Sequence, residues 1–216
     1  MAMTIAVMGE SGSGKTTAMR NLPPESTMYV DADQKGLSWR GWRTAYNTES
    51  KNYVKTSNKN AIMALFKRVE CDPDYAHIKT VVVDTINGVM VDDEFSRMQE
   101  KGYDKWADLA FAVYDMILYA LKMRDDLTVI FLAHAQAERD DSGNMWTRIK
   151  TSGKKLDKIV LESKFTTVLY AKCLDGKHVF EVHANNSTAK TPLGAFEEST
   201  VSNDIVEVIK RLEDFR

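Results

Sequence analysis

Near the start of the chain, MGESGSGKTT sets Gly9, Gly14, Lys15 and Thr16 in the spacing G-x-x-x-x-G-K-[ST]. That spacing lets a loop of backbone N–H groups wrap the phosphates of a nucleotide. Gly9, Glu10, Ser11, Gly12, Ser13 and Gly14 form the loop, Lys15 reaches the β- and γ-phosphates, and Thr16 offers its hydroxyl to Mg2+. Thr17 follows as an α-phosphate contact. A helix starting here would aim its positive end at the same phosphates. The ligand expected on these residues is ATP or GTP.

Such a loop needs a carboxylate to support the metal, and hydrolysis needs a group that orients water. TVVVDT places Asp84 after three valines, where a buried strand would end beside the loop. A plain strand-end aspartate is the alternative. YVDADQKG offers Asp33 as general base, with Asp31 as its rival and a solvated carboxylate as the plain alternative. His134, closing VIFLAH, could hydrogen-bond the γ-phosphate and sense its loss, or could be a satisfied core histidine.

The elements that must hold these groups read as a strand-helix alternation. TIAVM, TMYVDAD, TVVVDT and LTVIFLAH are Val- and Ile-rich runs suited to a parallel sheet buried on both faces. Between them, Ile62, Leu65, Phe66 and Val69 recur at helical spacing, as do Trp106, Leu109, Val113, Met116, Ile117, Ala120 and Leu121. The fold expected is α/β, a mainly parallel sheet with flanking helices and right-handed crossovers, its functional residues at the strands' carboxyl ends. After residue 165, TTVLYAKC and KHVFEVHA flank Leu174-Asp175-Gly176, a hairpin extending the sheet. SNDIVEVIKRLEDF closes the chain as a helix capped by Ser202, Asn203 or Asp204.

With 216 residues, 44% of them hydrophobic, the chain has apolar material for one domain spanning residues 1 to 216. A formal net charge of −2 excludes a global basic field, so any nucleic-acid contact must be local. Cys71 and Cys173 lack metal or disulfide spacing and read as reduced core thiols of a cytoplasmic protein. No leader or membrane segment is expected.

Residues 135 to 155 show no helical or strand period and carry Arg139, Arg148, Lys150, Lys154 and Lys155 around Trp146. Cations can follow phosphates while an aromatic stacks on a base, although a solvated excursion has the same composition. KGLSWRGWR is a second basic-aromatic cluster. It could stack adenine or touch DNA, or be a partly buried helix anchored by its tryptophans.

Taken in order, these segments resemble the RecA-like P-loop NTPase core, and most of all the small phage-encoded recombinase and single-strand-annealing ATPases. VDAD is similar to the D-A-E whose acid activates water, and VVVDT to V-V-D-S. The stretch AQAERDDSGNMWTRIKTSGKKLDK sits where that family binds single-stranded DNA, and its second half resembles T-T-G-G-N-A-L-K. AKTPLGAF resembles V-K-N-K-I-A-A-P-F, which implies that Lys190 reaches a neighbouring subunit's ATP site. The resemblance implies ATP over GTP, Mg2+, DNA-stimulated hydrolysis, single-stranded DNA and a single-strand-binding protein as partners, a homo-oligomer, and a bacterial cytoplasm. Two departures bear on these expectations. Asp33 stands where the family has glutamate, shortening the reach by one methylene and slowing hydrolysis, and no segment precedes the first strand for docking subunits into a filament. A small-molecule kinase, with 135 to 155 as its lid, and a non-enzymatic ATP-switched scaffold are the rival readings.

Overall fold

The computed structural model describes residues 1–97, 104–139, 143–151 and 160–215. Its strands are β1 (Met3–Gly9), β2 (Thr27–Asp31), β3 (Tyr53–Lys55), β4 (Thr80–Asp84), β5 (Thr128–Arg139), β6 (Met145–Ile149), β7 (Thr167–Leu174), β8 (Lys177–Glu181) and β9 (Thr200–Ser202). The α-helices are α1 (Trp42–Ala45), α2 (Lys59–Cys71), α3 (Ile86–Ser96), α4 (Asp104–Lys122) and α5 (Ile205–Phe215). One sheet runs β3, β2, β4, β5, β1, β7, β8, β9, with β6 paired to β5 off that path. From β3 to β7 every pairing is parallel, and the β7–β8 and β8–β9 pairings are antiparallel. The expected mainly parallel α/β sheet with a C-terminal hairpin extension is therefore what the chain forms.

Apolar side chains on both faces explain the unbroken hydrophobic runs. Every residue of β1, β2 and β4 is buried. Ala6 and Met8 of β1 pack with Ile62 and Phe66 of α2 and Met116 and Ile117 of α4. Ile5 and Val7 pack on the other face with Met19 and with Val208 and Leu212 of α5. The helix starts follow local chemistry: Asn58 accepts from the N–H groups of Asn60 and Ala61 to open α2, and Asp204 accepts from Val206 to open α5. The β7–β8 turn is made by Asp175 and Gly176, both at positive φ as a tight hairpin turn requires. Trp106 and Leu109 fall on α4, but their side chains lie outside the described residues.

Three expectations are corrected. The helix expected after the phosphate loop is only a short turn: Ala18 N–H donates to Gly14 O, a 3-10 turn spans Thr17–Met19, and the segment stops before Pro23 and Pro24. Two consecutive prolines cannot continue a helical ladder. Residues 135 to 149 do not form a loop, because β5 runs on past His134 to Arg139 and returns as β6 in an antiparallel ribbon. Cys71 and Cys173 are free but exposed, so neither is a core thiol. Cys71 is the last residue of α2, outside its buried stripe.

Candidate nucleotide site

The carboxyl ends of β1, β2, β4 and β5 lie side by side, because Asp31 is opposite Asp84 and Gly9 is opposite His134 in the parallel register. That register gathers residues widely separated in the chain. The path from β1 to β2 passes over β5 and β4, which leaves the crevice beyond these strand ends where α/β sheets bind ligands.

Gly9 has no room for a side chain: a Cβ there would come within 2.4 Å of Ser13 Oγ and 2.8 Å of Ala171 O. Gly14 has φ +93, and a Cβ would press on His178 and Asn203. The loop is thus braced from behind by β8 and by the segment entering α5. His178 Nδ1 also lies 3.2 Å from Ser13 O. Lys15 is buried, and its ammonium donates to Gly9 O at 2.8 Å and Glu10 O at 2.7 Å. An ammonium has three N–H donors, so one remains for a phosphate. Burial pulls the Lys15 pKa down to about 8, against the opposing pull of Asp84.

Thr16 Oγ1 donates to Asp84 Oδ2 at 2.7 Å, and the Tyr29 hydroxyl donates to the same oxygen at 2.8 Å. Asp84 is 1% exposed, and among the described residues its Oδ1 has no hydrogen-bond partner. Burial raises its pKa even though Thr16, Lys35 and Tyr29 favour the charged form. A buried carboxylate with a free oxygen beside a threonine hydroxyl suits a magnesium shell completed by phosphate and water oxygens. Thr16 and Asp84 therefore fit the metal expected of them, and the ion would supply charge neutralisation on the phosphates.

The two candidate bases differ in what they face. Asp31 is buried, and its Oδ2 accepts from Tyr53 OH at 2.6 Å and from Gly36 N–H at 2.8 Å, so it ties down the β3 edge. Asp33 opens on a cleft of about 460 Å³ that it shares with His134, Asn87 and Gly88. Its Oδ1 accepts from Thr85 Oγ1 at 2.8 Å and its Oδ2 from Lys35 Nζ at 2.6 Å. Burial pushes the Asp33 carboxyl up, but the bonds from Lys35 and Thr85 outweigh it and hold the pKa below its ordinary value. His134 is held below the usual histidine range, first by burial and then by the charge of Lys15.

Sequence reasoning missed four residues of this cleft. Thr85 caps α3 by accepting from Gly88 N–H, and the Thr-Ile-Asn-Gly start after a valine run carries that signal. Gly88 lets the helix lie against the turn after β2, since a Cβ would meet Ala32 O and Asp33 Oδ1 at 2.7 Å. Asn87 accepts from His134 N–H at 2.7 Å and donates to Lys150 O at 2.8 Å, so it joins α3 to both strands of the ribbon base. Lys35 gives no periodic or motif signal, because a turn positions it.

The remaining predicted residues are dispersed. Thr17 Oγ1 lies 2.9 Å from Ser38 Oγ, beside the loop. On the ribbon, Trp146 is 41% exposed and Arg139 and Lys150 are exposed, whereas Arg148 is mostly covered and pairs with Glu138 at 3.5 Å. Arg148 thus lies beside a carboxylate on its own ribbon face. Lys154 and Lys155 lie outside the described residues. Lys190 exchanges two backbone hydrogen bonds with Val168 on β7, and among the described residues no hydrogen bond joins its side chain to the loop. In the second basic-aromatic cluster, Trp39 and Trp42 are half-buried against Tyr29, Tyr46 and Tyr53. They anchor a single helical turn, and Arg43 lies 5.5 Å from the Trp42 ring.

No helix among the described residues is long and apolar enough to cross a membrane. A family model described as an AAA domain matches residues 1–193. No curated protein matches the chain.

Proposed function

The chain belongs to that AAA domain family, whose members are nucleotide-binding domains of the ATPase type, and from this premise we propose that it is a Mg2+-dependent ATPase acting on single-stranded DNA. In this reading the resemblance to phage recombination and annealing ATPases extends to function, as annealing or strand exchange by a homo-oligomer in the host cytoplasm. Lys15 and the loop N–H groups bind the phosphates, Thr16 and Asp84 hold the metal, and Asp33 takes the proton of the attacking water. His134 reports the γ-phosphate, and Arg139, Trp146 and Lys150, with Lys154 and Lys155 beyond them, grip the strand.

The observation that carries the reading is the join between the two parts. Asn87 bonds to His134 at one strand of the ribbon and Lys150 at the other, and stands two residues after Thr85, the hydrogen-bond partner of Asp33. A change at the γ-phosphate thus has a short bonded route to the ribbon. Arg148 belongs to the same grip, its 3.5 Å pair with Glu138 being loose enough to give way to a phosphate.

The test is ATP turnover with and without single-stranded DNA, alongside DNA affinity by fluorescence anisotropy with an ATP analogue, with ADP and without nucleotide. Turnover should rise with DNA and vanish in Lys15→Ala, and affinity should depend on nucleotide state. Replacing Lys154 and Lys155 by alanine should lower the salt slope by about 0.7 per lost contact. Equal affinity in all three states ends the DNA reading, and phosphoryl transfer to a nucleoside would make the protein a kinase.

A further inference from the structure

The hydrogen bond at Asp33 Oδ2 conflicts with the role given to that carboxylate. Each oxygen of Asp33 already accepts one bond, from Thr85 on Oδ1 and Lys35 on Oδ2, and an ammonium 2.6 Å away weakens a carboxylate as a base even where a lone pair remains. Either Asp33 is a structural ion pair or Lys35 has a second place to go.

The turn that carries Lys35 favours the second answer. Gln34 and Gly36, on either side of it, are at positive φ, 57° and 83°. Both neighbours are tied down, Gln34 Nε2 to Ser57 Oγ at 3.1 Å and Gly36 N–H to Asp31 Oδ2 at 2.8 Å. The backbone is thus fixed, while the Lys35 side chain is 49% exposed against 16% for Asp33. Its charge acts on Lys15, Asp84, Asp33, Asp31 and His134. An ion pair that is half open to water contributes little, and a terminal phosphate offers more negative charge and more acceptor oxygens.

Resting on the reading of the crevice as an ATP-hydrolysing site, we propose that Lys35 is a second nucleotide-binding lysine, which passes from Asp33 to the γ-phosphate and by leaving frees Asp33 to act as the base. It both holds the base when no γ-phosphate is present and stabilises the phosphate when one is. In the step that follows, the water oxygen bonds to the γ-phosphorus and the bond to the β–γ bridging oxygen breaks. The water proton passes to Asp33 Oδ2, and ADP leaves with the electron pair. Lys35 moves no proton; it selects for a nucleotide that has a third phosphate.

Binding of a non-hydrolysable ATP analogue and of ADP to wild type, Lys35→Ala and Lys35→Arg, measured by calorimetry together with ATP turnover, tests this. Lys35→Ala should weaken analogue binding about tenfold, leave ADP binding within about twofold, and lower kcat, because only the γ-phosphate contact is lost. Lys35→Arg should restore the preference for the analogue. Retained ADP binding also shows that the variant is folded. If Lys35→Ala binds both nucleotides as wild type does, whether its kcat rises, falls or stays, Lys35 is a surface partner of Asp33 and the inference is overturned. The site reading survives that result. Wild-type protein that binds neither nucleotide would overturn both.

Discussion

Asp31 and Asp33 are two residues apart and carry the same group, but Asp31 closes β2 and Asp33 stands in the turn after it, so the difference between them lies in what each oxygen meets. Asp31 accepts from Tyr53 and Gly36 through Oδ2 and keeps a buried Oδ1 that has no partner among the described residues, while Asp33 faces the cleft with His134. Asp33→Asn should therefore retain ATP binding and lose turnover by at least about 100-fold, since an amide cannot accept the proton. Asp31→Asn should chiefly lower stability, by about 1–3 kcal/mol, because the amide oxygen can keep Tyr53 and Gly36 while its NH2 replaces the buried Oδ1, a donor with no acceptor among the described residues. Turnover and urea unfolding of both variants check the pair, and normal turnover in Asp33→Asn would show that the base has been misassigned. At this scale the sequence was informative wherever a residue belongs to a spacing. Gly9, Gly14, Lys15, Thr16 and Asp84 came from motif and strand end, and the structure brings them together. It could not separate Asp31 from Asp33, because the deciding partners, Tyr53 and Gly36, are set by a register and a turn that no pattern records.

Among the elements, the buried strands and the striped helices α2 and α5 were legible, and α3, which buries Ile86, Asn87, Val89 and Met90 without a clean stripe, was not. β1, β2, β4 and the first half of β5 are apolar runs because both faces are covered, and α2 shows its stripe because one face is. From Gln136 on, the ribbon is partly exposed until Ile149, so its residues alternate among small, polar and charged types and leave no hydrophobic period. β3 and β9 are three residues each, too short to carry a pattern. Besides its own ladder and the bonds of Thr147 to residues 186 and 188, the ribbon is held at its base by one side chain, Asn87, which satisfies His134 N–H and Lys150 C=O. Asn87→Ala leaves both unpaired, and should cost about 1–3 kcal/mol in urea unfolding. It should also speed amide exchange at His134 and the ribbon base ahead of the rest of the sheet. Exchange that stays as slow as in wild type would mean that the strands hold their own geometry and Asn87 transmits nothing.

For the whole molecule, the open question is whether one chain holds a complete site. Lys190 is fixed to the sheet by its two bonds to Val168, and among the described residues no hydrogen bond carries its side chain to the phosphate loop. A lysine so placed contributes to ATP chemistry only if it meets the loop of another copy. Complementation makes that measurable, because a site would draw Lys15 from one protomer and Lys190 from the next. Lys15→Ala and Lys190→Ala should each be nearly inactive alone. In a random equimolar mixture, half of the loops retain Lys15, and half of those face a neighbour that retains Lys190, so about a quarter of wild-type turnover should return. The recovery should follow the square of total concentration when assembly is limiting, and disappear on dilution below the dissociation constant. Sedimentation with ATP and single-stranded DNA identifies the alternative: a monomer with no recovery on mixing, and a Lys190→Ala protein as active as wild type, would leave Lys190 a surface residue and make every site internal to one chain.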